Sequence, residues 1–189
     1  MSKLTLTAVL LALVHTATAA AETEGDAKVA QLHREHPELG FLVFDISMLD
    51  EGKLSCIPRS AILTSNTGKK ANVNVFTGGF FGLGEKTRGA IASLEPAVWT
   101  VVWVDCINRH FKGSIAQIHV GPGEIINAGH LLVDVFMRRA QGPFTGALYG
   151  AHARVEDLGP DTIETLNKRA PATFAKAKRQ YFGIYPAMK

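Results

Sequence analysis

The spacing of apolar side chains divides this chain into a strand-rich middle flanked by two helical ends. Glu24 to His36 carries Ala27, Val29, Ala30 and Leu32 as a partial apolar stripe, and Pro37 and Gly40 close it, which predicts a short helix. From Phe41 the character changes to FLVFDISML, an apolar run that continues through Asp45 to Leu49 and reads as a strand. Asp50-Glu51-Gly52-Lys53 has the composition of a hairpin turn. LSCIPRSAIL then reads as a second strand, with Pro58 making it an edge or bulged one. After the polar cluster Ser65 to Lys70, ANVNVF alternates strictly, with Val73 and Val75 on one face and Asn72, Asn74 and Phe76 on the other.

The centre is more apolar. In AVWTVVWVDC, counting by twos puts Trp99, Val101 and Trp103 on one face and Val98, Thr100, Val102, Val104 and Cys106 on the other. Apolar groups on both sides describe a strand covered on both faces. SIAQIHV, Gly121-Pro122-Gly123 and EIINAGHLLVDVFM predict a hairpin about a tight turn, and Gly129 marks a bulge in its second arm. One more short strand is expected around Ala147 to Val155. Gly159-Pro160-Asp161 starts a helix with Ile163, Leu166 and Ala170 as its stripe, and Pro171 opens another through Phe174 and Ala175.

Seven or eight short strands at this spacing predict a mainly β fold: an antiparallel β-sandwich with short helices at both ends of the mature chain. The expected organisation is a leader over 1–21, a helical segment over 22–40, the sandwich over 41–158 and a helical tail over 159–189.

The leader follows from the first residues. Lys3 precedes the apolar stretch Leu4 to Val14, and Ala17-Thr18-Ala19 fits the small-residue cleavage rule, so a secretory signal peptide cut after Ala19 or Ala21 is expected. Eleven residues rise only about 16 Å as a helix, too short for a ~30 Å hydrocarbon core, so no integral membrane segment is expected in the mature chain. The destination is the periplasm or the exterior. Removing Lys3 from the formal charge of +3 leaves +2, too mild for electrostatic capture of nucleic acid. Both cysteines, Cys56 and Cys106, lie in the mature part, and an even pair in an oxidising compartment predicts a disulfide.

Two runs carry a resemblance. Leu94-Glu95-Pro96-Ala97-Val98-Trp99 at a strand entry, and Pro122-Gly123-Glu124 leading into an apolar strand, resemble the layout of exported bacterial sandwich domains of the PEGA and carboxypeptidase-regulatory-like kind. The similarity spans roughly Gly89 to Val135. It implies a non-catalytic sandwich of the cell envelope and supplies no catalytic residue.

Several features invite chemistry. GGFFGLGEKT, residues 78–87, approaches the phosphate-loop pattern, but Glu85 stands where the lysine belongs and Lys86-Thr87 follow one place late. No helix-forming stretch follows it either, so it is expected to be a glycine-rich connection in which Phe80 and Phe81 either plug the core or form a contact tip. His33 and His36, three apart on the first helix, could share a metal but lack the H-E-x-x-H spacing and a third ligand, and no cofactor is expected. Ser114, His130 and Asp134 supply the residue types of a hydrolase, and Asp105 and Asp134 those of a glycosidase, without any motif joining them.

Trp99 and Trp103 are expected in the core, with exposed stacking on sugar rings as the alternative. The function expected is therefore a non-catalytic secreted or periplasmic module binding or supporting an envelope component or protein partner. A small exported hydrolase or metal enzyme using the histidines, and a carbohydrate-binding module using Trp and Phe, are the competing readings.

Overall fold

The chain runs from α1 (Glu24–Glu35) into β1 (Gly40–Asp50) and turns back through β2 (Lys53–Cys56). β3 (Ser60–Ser65) and β4 (Lys70–Asn74) follow, then a small ribbon of β5 (Phe76–Thr77) and β6 (Thr87–Arg88). Next come β7 (Ala90–Leu94), β8 (Ala97–Cys106), β9 (Arg109–Val120), β10 (Ile125–Arg138) and β11 (Leu148–Glu156). The tail holds α2 (Pro160–Arg169), α3 (Pro171–Ala175), β12 (Lys178–Arg179) and β13 (Gly183–Ile184). The structure is a computed structural model, and it describes residues 23–50, 53–56, 58–77, 87–106, 109–138 and 148–185.

The long strands form two sheets. In one the order is β11-β10-β1-β2, with β7 also on β1 and β12 also on β10; in the other it is β13-β9-β8-β3-β4. Neither closes into a barrel. Leu42, Phe44, Ile46 and Met48 of β1 meet Leu63, Trp99, Val101, Val104, Phe111 and Ile118 of the second sheet in one continuous core. The expected mainly β fold, two sheets with helices at both ends, is what the chain forms. There are more strands than seven or eight because four are two-residue pieces, and because LSCIPRSAIL divides at Pro58. Its first part, β2, pairs with β1 in the first sheet. Its second part, β3, pairs with β8 in the other.

One central pairing departs from the antiparallel expectation: β1 and β10 run parallel, from Phe41 opposite Ile125 to Asp50 opposite Val135. The physical reason lies in coverage. Parallel strands are stable where both faces are buried, and β1 is buried over its first ten residues. Its even-numbered side chains face the inter-sheet core. On its other side Val43 packs with Leu158 and Leu166, joined by half-buried Ile91, Ile125 and Phe174 beneath the helices.

The doubly covered strand is thus β1, whereas β8 was expected to be. A bulge between Val101 and Trp103 breaks the period-two count in β8. Trp99, Val101, Val104 and Cys106 point inward, and Trp103 joins Thr100 and Asp105 on the outer face.

The Gly-Pro-Gly turn is likewise not a hairpin. Val120 pairs with Ala97 in the second sheet, and Ile125 pairs with Phe41 in the first, so the turn carries the chain between sheets. Phe41 N donates to Glu124 O at 2.7 Å and Gly123 N to Leu39 O at 3.2 Å. Docked this way against the start of β1, the turn launches β10 alongside it in the same direction.

The helical layer is fastened by polar contacts. α1 starts at the N-cap Thr23, α2 has a proline in its first turn, and α3 begins at Pro171. Buried Asp26 of α1 accepts hydrogen bonds from Thr173 N and Thr173 Oγ1, both at 2.7 Å, and from Ala172 N at 3.1 Å. An acid from α1 therefore caps the N-terminus of α3, 146 residues away along the chain.

Candidate functional site

Two polar arrangements stand out, one beneath the helices and one on the opposite outer surface. The first is set by a bulge. Val43 pairs with Asn127 but Asp45 with His130, so β10 uses one extra residue there, and Gly129 sits at φ +82° as expected for that bulge. The extra residue puts His130 on the same face as Asp45 and Ser47. Asp45 Oδ1 accepts from Ile46 N at 2.8 Å, and Asp45 Oδ2 accepts from Thr162 Oγ1 of α2 at 2.8 Å. His130 Nε2 shares a hydrogen bond with Ser47 Oγ at 2.9 Å and lies 4.0 Å from Asp45 Oδ2.

Serine, histidine and aspartate thus meet, though not the three singled out from sequence. Their geometry differs from a nucleophilic triad, where the acid holds the ring nitrogen opposite the one facing the serine. Here serine and acid approach the same nitrogen, and Ser47 is 1% exposed. The cluster links β1, β10 and α2.

The residues proposed from sequence are dispersed. Ser114 lies on β9 in the second sheet, and His130 and Asp134 lie on β10 in the first. Asp105 and Asp134 stand on the outer faces of different sheets, and packed sheets are about 10 Å apart, beyond the spacing of a glycosidase pair. His33 packs near the Phe41 ring at 6.4 Å, while His36 Nδ1 lies 3.3 Å from Glu38. Among the described residues no three His, Cys, Asp or Glu side chains converge as a metal requires.

Thr87 and Arg88 form a strand pairing back on Thr77 and Phe76, where a phosphate loop needs a helix. The segment 78–86, with Phe80 and Phe81, lies outside the described residues. Cys56 ends β2 and Cys106, buried, ends β8. Arg59 N donates to Asp105 O at 2.8 Å, which brings the chain just after Cys56 beside the residue preceding Cys106. The side chain of Cys56 lies outside the described residues.

The second arrangement is the outer face of the second sheet. Trp99 is core, 3% exposed, with its indole N–H donated to Glu95 O at 2.9 Å. Trp103 is half-buried on the outer face, where its ring stacks on that of His110 at 4.5 Å with planes 8° apart. Register places Asn72, Ile62, Trp103 and Lys112 in one row across β4, β3, β8 and β9. Asn74, Ser60, Asp105 and His110 form the row beside it, and Lys70, Thr64, Thr100 and Gln117 the row on the other side.

The sequence flags Trp103 only together with Trp99, as the alternative of exposed stacking; the array around it depends on the β8 bulge and cannot be read there. The signal for the first cluster was present: Asp45 and Ser47 are two polar residues at alternate positions inside an otherwise apolar strand. Comparison of the chain with protein-family models, with curated proteins and with solved structures finds no match in any of the three.

Proposed function

We propose that the protein is an exported, non-catalytic β-sandwich that acts as a binding or structural module of the cell envelope. The observation that carries this reading is the division of labour among its polar side chains. Asp26, Asp45, Ser47, Thr162 and Thr173 are buried and tied by hydrogen bonds that join α1 to α3, α2 to β1 and β1 to β10. The outer face of the second sheet instead presents polar groups and a half-buried aromatic ring to solvent. Export is supported by the charged, apolar and small-residue sequence of the first 21 residues. Among the described residues no helix is long and apolar enough to cross a membrane.

A disulfide between Cys56 and Cys106 belongs to the same proposal. The Arg59–Asp105 contact supports it, because the three residues from Cys56 to Arg59 extend at most about 10 Å. The layout of the Leu94–Trp99 and Pro122–Glu124 runs supports kinship with envelope sandwich domains, on sequence resemblance alone.

The test is expression of the full chain in a Gram-negative host, followed by fractionation and intact mass spectrometry. The expected product is periplasmic or secreted, starts at residue 20 or 22, and is lighter by two hydrogens than its reduced form. Full-length cytoplasmic protein with two titratable thiols overturns the reading. Retention of the purified protein on cell-envelope extract, with no turnover of a hydrolase substrate panel, tests the binding role.

A further inference from the structure

We infer that the outer face of the second sheet is a glycan-binding platform centred on Trp103, taking an uncharged, hydroxyl-rich oligosaccharide. The inference rests on reading the protein as a binding module and names that module's ligand class and site.

Three rows of side chains across four strands make a platform about 14 Å on a side. At its centre the Trp103 ring and its neighbour Ile62 offer an apolar strip one sugar ring wide. Stacking on His110 fixes the indole, so little side-chain freedom is left to lose when a ligand arrives. Around the strip stand Asn72, Asn74, Thr100, Asp105, Lys112 and Gln117. Among the described residues none of these six side chains has a hydrogen-bond or ion-pair partner. They carry both donors and acceptors.

A pyranose matches this pattern, because it has an apolar C–H face and a rim of hydroxyls that donate and accept. Three other ligand classes fit less well. A lipid or protein surface needs a broader apolar area than one indole, Ile62 and the half-buried Val98 and Val102, set among polar side chains, provide. A nucleic acid needs a large excess of cations, whereas the three rows set Asp105 against Lys70 and Lys112, and the whole chain carries only +3.

The experiment titrates the exported protein, as purified, with cellohexaose, chitohexaose and dextran oligomers, and with a single-stranded DNA dodecamer, following tryptophan fluorescence and calorimetry. Saturable binding of at least one oligosaccharide is expected, weakened about tenfold or more by Trp103→Ala and several-fold by Asn72→Ala or Gln117→Ala. Circular dichroism and thermal unfolding check that each variant folds. If Trp103→Ala does not fold, Trp103→Leu together with the two polar variants decides the question.

Sugar binding that survives all the variants overturns this site. Binding of the DNA alone overturns the ligand class. No sugar binding, while the protein is still retained on envelope extract, overturns the platform and leaves the module reading standing. No binding to sugars or extract overturns both.

Discussion

Thr162, in the first turn of α2, donates its hydroxyl to Asp45 in the middle of β1 at 2.8 Å, and both residues are essentially closed to solvent. A carboxylate deep in an apolar strand is costly unless its oxygens receive hydrogen bonds. Thr162→Val keeps the shape and removes the donor, so it should destabilise the protein by about 1–3 kcal/mol. Thr162→Ser should recover most of that loss. Urea unfolding with an unchanged m-value checks both; a valine variant as stable as the parent would show that the bond is dispensable.

Asp26 makes a prediction that depends on pH. Burial pushes its carboxyl pKa up, but hydrogen bonds from the Thr173 hydroxyl and N–H, the Ala172 N–H and Thr23 outweigh it and hold the group below its usual range. A folded-state value below the unfolded one means the stabilisation is fully present above about pH 5 and fades as acid protonates the folded form. Asp26→Asn should therefore cost about 1–2 kcal/mol at pH 7 and flatten the loss of stability below about pH 4. A parallel pH-stability curve in the variant would remove Asp26 from the acid response.

These two contacts show how far the sequence alone could be read. The strand FLVFDISML, the helix starts at Glu24, Pro160 and Pro171 and the bulge at Gly129 were legible because each is a local pattern of period, cap or turn. The partners were not. Thr162 is 117 residues from Asp45 and Ser47 is 83 from His130, so no local spacing connects them. Period two turns Trp103 inward, and the bulge that turns it outward leaves no residue signature in VVWV. The Gly-Pro-Gly turn has a hairpin's composition. Only its docking against Leu39 and Phe41 turns it into a crossing between sheets.

Gly129 is the extra residue of β10, bulged out beside the polar cluster. A Cβ there would lie 2.6 Å from Glu156 O and 3.0 Å from the Tyr181 ring, at a φ of +82° that side chains disfavour. Gly129→Ala should destabilise by about 2–4 kcal/mol, combining backbone strain with a clash against a carbonyl that cannot swing away. Deleting Gly129 is more informative: it removes the bulged residue itself, so His130 would follow Ala128 directly and still stand opposite Asp45, on the face it now occupies. The deletion should therefore keep the His130–Ser47 contact and cost less than Gly129→Ala, and a deletion variant less stable than the alanine variant in urea unfolding would show that the bulge does more than absorb an extra residue.

The two tryptophans should behave as opposites in solution. Trp99 fills the core and gives its N–H to Glu95 O, so Trp99→Phe removes packing and that hydrogen bond, at a cost of about 1–3 kcal/mol. Trp103 lies on the outer face against His110, so Trp103→Phe should cost no more than about 0.5–1 kcal/mol. Each variant leaves a single indole to report. With only Trp99 the emission should be blue-shifted and poorly quenched by acrylamide, and with only Trp103 redder and more readily quenched. His110→Ala in the second background should raise quenching further by uncovering one ring face. Equal quenching of the two indoles would mean that Trp103 is not on an open face, and the platform built around it would fall with that result.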